Sequence, residues 1–248
     1  MKPTRLLGSL ALGLTAMVVQ AAEYSAELAW AGRVSLAMPV TGVLETVQAQ
    51  AGQWLKKGEL MAALNPVLFK AGVSEAKADV DRLALEQADA KRDLDRVKEL
   101  YARTVSATTE LDAAQLRFDR ATAALAGAQA RLDKARHQLE QSELRAPFDA
   151  IVLERLAEPG LVAANPCQPN PLFIVARSDE MVAQAVLQAD QARHVVPGSK
   201  ADVLLGGKVI KGETRGLSLR PDGKYRLEVA LPQVKGLGPG QPATIRLP

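Results

Sequence analysis

The longest unbroken pattern in the sequence lies between residues 66 and 142, and it leaves few folds open. From Pro66 to about Arg103 there is no further proline and one glycine, Gly72. Apolar residues recur there at alternating steps of three and four: Phe69, Val73, Ala76, Val80, Leu83, Ala90, Leu94, Val97 and Tyr101. Gln87 is the one polar residue in that row. After a short break the pattern resumes as Leu111, Ala114, Phe118, Ala121, Leu125, Ala128, Leu132, Ala135 and Leu139, with Ser142 closing it. Such heptad spacing marks one narrow apolar seam along a helix. It predicts two helices of about 36 residues, each roughly 55 Å long at 1.5 Å per residue. Asn65-Pro66 suits the start of the first. The interruption, residues 104–110, carries hydroxyls suited to helix caps, and either Thr108 or Thr109 is placed to open the second helix. So short a connection makes the helices antiparallel. Acids and bases fill the other faces, which suits a protruding two-helix rod better than a slab buried in a bundle.

The segments on either side of this hairpin match each other. Residues 38–64 begin Met38-Pro39-Val40-Thr41-Gly42, and residues 146–162 begin Ala146-Pro147-Phe148-Asp149-Ala150. Pro39 to Gly52 and Pro147 to Gly160 are the same distance, 13 residues, without a gap. Each half reads as a proline-led turn, an alternating strand, a glycine-centred turn and a second short apolar strand. This is an internal repeat split by an insertion. In the C-terminal part the period shifts toward two. Met181 to Leu187, Lys200 to Leu205, Tyr225 to Leu231 and Ala243 to Leu247 read as strands. Turns at Pro197-Gly198, Gly206-Gly207, Pro221-Asp222-Gly223 and Gly238-Pro239-Gly240 separate them.

At the N-terminus, Lys2 and Arg5 precede an uncharged stretch from Leu6 to Val19 and then Gln20-Ala21-Ala22. A basic start, an apolar run of about 14 residues and small residues at the end read as a secretory signal peptide, cleaved after Ala21 or Ala22. The run is shorter than the roughly 20 residues a bilayer-spanning helix needs. No cysteine stands at the cut site for lipid attachment. The mature protein is therefore expected to be exported, soluble and held at a membrane only through partners. Only 4% of the 248 residues are aromatic, which an elongated, Ala- and Leu-rich architecture tolerates better than a large compact core. The net charge is +3, and removal of Lys2 and Arg5 leaves about +1, too little to argue for nucleic acid. One cysteine, Cys167, excludes a disulfide scaffold; it stands in a proline-rich turn and reads as a bystander.

The sequence carries few residues in chemically suggestive patterns. His137 falls on the outer face of the second helix and His194 precedes the Pro197 turn; neither forms a paired ligand motif. There is no CxxC, GxSxG or phosphate-binding glycine loop. The five methionines do not cluster. Acid pairs such as Asp79 and Asp81 fall among Lys and Arg and read as a solvated, salt-bridged face. No catalytic, cofactor or metal site is expected.

Two pseudo-symmetric halves of short strands resemble the lipoyl/biotinyl-type β-sandwich. Carrier domains of that type place a modifiable lysine at the hairpin joining the halves. This chain has Leu64-Asn65-Pro66 there, and Lys56 and Lys57 lie earlier beside the Gly52 to Gly58 turn, so swinging-arm carriage is not expected. A lipoyl-like fold interrupted by an α-hairpin behind a signal peptide resembles the periplasmic adaptor, or membrane fusion, proteins of tripartite efflux systems (the HlyD/RND-type family). The motifs that carry it are GQWLKKGELMAALNP with LRAPFDAIVLERLAEPGLV, and the hairpin tip RVKELYARTVSATTELDAAQ. VVPGSKADVLL and GLGPGQPATIRL resemble the small β-barrel of such proteins.

The resemblance implies a mainly β protein with a long coiled-coil α-hairpin, elongated. Residues 31–65 and 145–177 would form the split sandwich, 66–144 the hairpin and 178–248 the barrel, with 1–22 removed. A membrane-proximal domain built from both chain ends is expected to be absent or vestigial. It further implies a non-catalytic adaptor without cofactor, docked on an inner-membrane transporter of RND or ABC type. Its tip would meet a TolC-like outer-membrane channel, and its copies would form a homo-oligomeric ring in the periplasm. Channel contacts fall on Arg96, Leu100, Val105 and Ser106; adaptors of this kind often carry their serine seven residues after the leucine, and here Ser106 follows Leu100 by six. Ala150 stands where the family usually has glycine, so a different local turn is expected, and Asn165 to Asn170 is longer than the usual turn. The alternatives are a periplasmic coiled-coil chaperone or scaffold without a transporter, and a carrier subunit of an enzyme.

Overall fold

The computed structural model describes residues 22–163, 170–233 and 237–247. Residues 1–21, within the expected signal peptide, and residues 164–169, which include Cys167, lie outside them. The elements in chain order are β1 (Ala22–Trp30), β2 (Val34–Leu36), β3 (Gly42–Val47), β4 (Trp54–Leu55) and β5 (Leu60–Leu64). The helices α1 (Val67–Ala102) and α2 (Thr108–Gln141) follow. Then come β6 (Glu143–Arg145), β7 (Ala150–Arg155), β8 (Val162–Ala163), β9 (Phe173–Arg177) and β10 (Glu180–Leu187). The chain continues through α3 (Ala189–Ala192), β11 (Lys200–Leu205), β12 (Lys208–Leu219), β13 (Tyr225–Pro232) and β14 (Pro242–Leu247). It divides into two compact units, one of residues 31–179 and one that joins 22–30 to the chain from 180 onward.

The 31–179 unit contains two four-stranded sheets, ordered β2-β9-β7-β4 and β6-β5-β3-β8. The repeat seen in sequence governs this order. Residues 108 apart play the same part: β3 matches β7 and β4 matches β8 end for end. Each half supplies two inner strands to one sheet and two outer strands to the other. Gly52 N–H donates to the Val152 carbonyl at 2.8 Å, and Gly160 N–H donates to the Leu44 carbonyl at the same distance. Leu44, Ala49 and Leu64 from one half and Val152, Ala157 and Val175 from the other share one core, with Phe173, Leu172 and Met61. The symmetry breaks in length at one place. Val47 pairs with Ala62 and Arg155 with Phe173, so the second half carries three extra residues between those strands. Ala150 does not alter its turn. Its backbone stays out of the left-handed region and its side chain is buried. It pairs with Leu55 as Gly42 pairs with Ala163.

The helices α1 and α2 have 36 and 34 residues. Nineteen of the twenty seam positions named from sequence are buried or half-buried, and only Tyr101 is exposed. Cross-helix pairs fix the direction: Asp79 meets Arg131, Gln87 meets Thr122 and Asp93 meets Arg117, rising on one helix as they fall on the other. Asn65 Oδ1 accepts the Val67 N–H at 3.1 Å, so its side chain covers one of the free donors of the first turn. The start of α2 differs from the expectation. Ala107 occupies the cap position in extended conformation, and Thr108 and Thr109 lie inside the first turn, so neither caps it.

In the other unit six strands close a barrel in the order β1-β10-β13-β12-β11-β14. Leu28, Met181, Leu187, Val203, Leu227, Val229, Leu231 and Ile245 fill it. The strands anticipated from sequence are β10, β11, β13 and β14. Two were missed. β1 closes the barrel between β10 and β14. β12 spans Lys208–Leu219 with glycines at 212 and 216 that disguise it as turn-rich. Gly212 is required: an added Cβ there would lie 2.6 Å from the Ala230 carbonyl oxygen and 2.7 Å from the Leu231 side chain.

Candidate functional site: the tip of the helical hairpin

The turn from α1 into α2 is built by backbone hydrogen bonds. Val105 N–H donates to the Leu100 carbonyl and Thr104 N–H to the Tyr101 carbonyl, each at 3.0 Å. This pair closes a helix with a left-handed residue just past its end, a place glycine usually takes. Here it is Thr104, with φ of 61°, the one non-glycine residue of positive φ among the described residues. A β-branched side chain is disfavoured in that conformation, so the turn holds strain.

The four residues expected to make contact divide into two kinds. Val105 is 73% exposed and Leu100 38%, and Tyr101 beside them is 42% exposed. They present apolar surface where the chain reverses. Arg96 and Ser106 already have partners in this chain. The Arg96 guanidinium donates to Asp93 one turn earlier, and Arg117 from α2 reaches the same carboxylate at 2.7 Å. The hydrogen bond from Arg96, followed by the charges of Arg96 and Arg117, holds the Asp93 carboxyl below the usual carboxylate range. Ser106 Oγ donates to Glu110 within the first turn of α2. Arg96 sits six residues before the end of α1, about 9 Å down the shaft at 1.5 Å per residue. The tip proper is therefore Leu100, Tyr101, Thr104 and Val105. Sequence reasoning missed Thr104, because nothing in its neighbours signals positive φ, and missed Asp93 and Glu110, although Asp93 stands at helical spacing from Arg96.

The lysines of the Gly52 to Gly58 turn are tied across the sandwich. Lys56 Nζ and the Lys57 backbone N–H both donate to the Asp149 carboxylate, each at 2.9 Å. The Lys57 N–H and then Lys56 Nζ lower the Asp149 pKa. Among the described residues no group of three or more His, Cys, Asp or Glu is arranged to hold a metal ion. No described helix is long and apolar enough to cross a membrane.

A barrel-sandwich whose halves are separated by a two-helix hairpin defines a class, and comparison with known proteins gives the family. Residues 33–168 match the family model of the CzcB-like, barrel-sandwich hybrid domain, and the chain belongs to that family. Multidrug resistance protein MdtA of Cronobacter turicensis is 26% identical over 202 residues, which are 77% of this chain and 48% of that protein. The MdtA protein of an Escherichia coli strain is 27% identical over 170 residues, 65% of this chain and 41% of that one. The chain thus spans about half the length of the relatives it matches, or less. Among solved structures, a membrane fusion protein from Streptococcus pneumoniae superposes with a TM-score of 0.68 at 14% identity, covering 90% of this chain and 97% of that one. A MacA-MexA chimera carrying the Pseudomonas aeruginosa MexA α-hairpin domain gives 0.68 at 17% identity, covering 92% and 80%. At such identities these likenesses speak for the fold alone.

Proposed function

We propose that this chain is a periplasmic adaptor linking an inner-membrane efflux transporter to an outer-membrane channel, and that it acts without catalysis. The observation that carries the reading is the insertion itself. Helices of 36 and 34 residues stand between the two halves of one sandwich, a device that supplies reach and not chemistry. Membership of the CzcB-like family and likeness to multidrug resistance proteins support it. In this reading the signal segment is removed on export and the mature chain works in the periplasm. Residues 31–65 and 145–177 form the lipoyl-like sandwich that packs against further copies in a ring. Residues 66–144 form a coiled-coil rod, and 178–248, closed by β1, dock on a transporter of RND or ABC type. The tip meets a TolC-like channel. Leu100 and Val105 supply apolar contact, while Arg96 and Ser106 exchange Asp93 and Glu110 for acidic or backbone groups of the channel.

In-cell photo-crosslinking from position 105 tests the reading, with products identified by mass spectrometry. Capture of an outer-membrane channel protein is the expected result. Capture of nothing but a spread of unfolded envelope proteins overturns it and favours a coiled-coil chaperone or scaffold.

A further inference from the structure

The seam of α2 repeats itself. Leu111, Phe118, Leu125, Leu132 and Leu139 recur every seven residues with Ala114, Ala121, Ala128 and Ala135 between them. A slide of one heptad along such a seam sets large residues on large positions again, so apolar packing leaves the axial setting of the two helices nearly degenerate. Three polar ties cross the pair and are not degenerate. Asp79 binds Arg82 on its own helix and Arg131 on the other, each at 2.6 Å. Asp93 repeats this arrangement 14 residues later, two heptads on, with Arg96 and with Arg117 at 2.7 Å. Between them Gln87, the one polar member of the α1 seam, donates from Nε2 to Thr122 Oγ1 at 3.4 Å, and Thr122 Oγ1 donates to the Phe118 carbonyl.

The two carboxylates are the shielded members of their clusters, 30% and 24% exposed against 57–70% for the four arginines. Ion pairs at this exposure add little to stability. Their effect lies in what a slide would destroy. Moving α2 one heptad in one direction sets Asp93 opposite Ala124 and Asp79 opposite Gln138. Moving it the other way sets Asp93 opposite Glu110 and Asp79 opposite Ala124. Either slide breaks both cross-helix clasps, and one of them brings two acids together.

We propose that the Asp79–Arg131 and Asp93–Arg117 clasps, with Gln87 and Thr122 between them, form a register lock that holds the helix pair in one axial setting. The lock works along the shaft, between two ends that are held separately, by the Thr104 turn at the tip and by the pairing of β5 with β6 at the base. It does not rest on the adaptor reading, and it fixes how far along the axis the tip is presented.

The test uses the full mature chain with spin labels at Lys77→Cys and Arg120→Cys in a Cys167→Ser background. The labels lie about 20 Å apart along the axis in the observed register, and one heptad of slide changes that by about 10 Å. With the lock intact a single inter-label distance is expected. Asp79→Ala with Asp93→Ala is expected to add a second distance population shifted by up to about 10 Å while circular dichroism keeps most of its helical signal. Adding Gln87→Leu is expected to enlarge that population and raise the melting temperature, since it replaces a polar seam residue. Exchanging Asp93 and Arg117 in the Asp79→Ala background is expected to return the distribution toward one distance. A single unchanged distance in both the double and triple variants overturns the proposal. So does loss of helical signal without a second distance, because the clasps would then serve stability and not register.

Discussion

The sandwich and the helix pair are held together in different ways. In the sandwich, residues from both sheets are removed from water almost completely: Leu44, Met61, Leu64, Val152, Phe173 and Val175 are all 0–1% exposed. In the helix pair the fully buried residues are Leu83, Leu94, Ala114, Ala128 and Leu132, and the rest of the seam is half open. A pair of helices has one shared stripe to bury, whereas a sandwich buries a face of each sheet. Position in the helix pair must therefore come from polar ties and local turns, because there is too little core to dictate it. In the sandwich, shape is dictated by packing, and its exposed charges are accessory.

Four substitutions separate packing from polar positioning. Phe173→Ala opens the centre of the sandwich and is expected to cost about 4 kcal/mol in urea denaturation. If it costs no more than the helix substitution below, the contrast fails. Leu94→Ala in the seam is expected to cost about 2 kcal/mol, and the loss should appear in the helical circular dichroism signal while the β signal persists. Thr104→Gly relieves the left-handed strain at the tip and is expected to stabilise the helix pair by about 1 kcal/mol in the same denaturation. A loss on that substitution would show that the threonine side chain supports the turn. The smallest effect concerns Asp149. Its folded pKa is depressed, so its tie to the Gly52 to Gly58 turn stabilises the sandwich above the usual carboxylate range and fades as pH falls through the folded value. Asp149→Asn should therefore lower the melting temperature at pH 7, with the gap to the unsubstituted protein closing below about pH 4.

Much of the architecture was legible in the sequence because two signals were periodic and redundant. A heptad row fails only if many residues deceive together, and the burial of the seam follows it at every position but Tyr101. The split repeat was legible because Pro39 and Pro147, and Gly52 and Gly160, keep the same spacing. What stayed hidden depended on geometry that no local pattern carries. Residues 23–30 alternate weakly, and it is pairing with both β10 and β14 that makes them the closing strand of the barrel. β12 was obscured by Gly212, whose absence of a side chain is a demand of Val229, Ala230 and Leu231 across the strand. At the tip, Leu100 and Val105 could be named from resemblance, but Thr104 owes its conformation to the way α1 terminates. Arg96 too was named from resemblance; that it pairs with Asp93 on its own helix, and that Arg117 shares the same carboxylate, needed both helices in place.

The insertion of the helix pair also shapes how the chain finds its fold. β3 must pair with β8, joining Gly42 to Ala163 and Val43 to Val162 across a stretch more than a hundred residues long. Closing so long a loop in a flexible chain is entropically costly and slow. The hairpin is made of neighbours in sequence, and once it zips it delivers Leu64 next to Ser142, where the Leu64 N–H donates to the Ser142 carbonyl at 2.9 Å. The loop that separates the two halves of the sandwich is thereby reduced from a long tether to one hydrogen bond. The same segment that extends outward from the sandwich is the one that brings its halves together, and whole heptads can be added to or removed from its length without lengthening the path the sandwich must close.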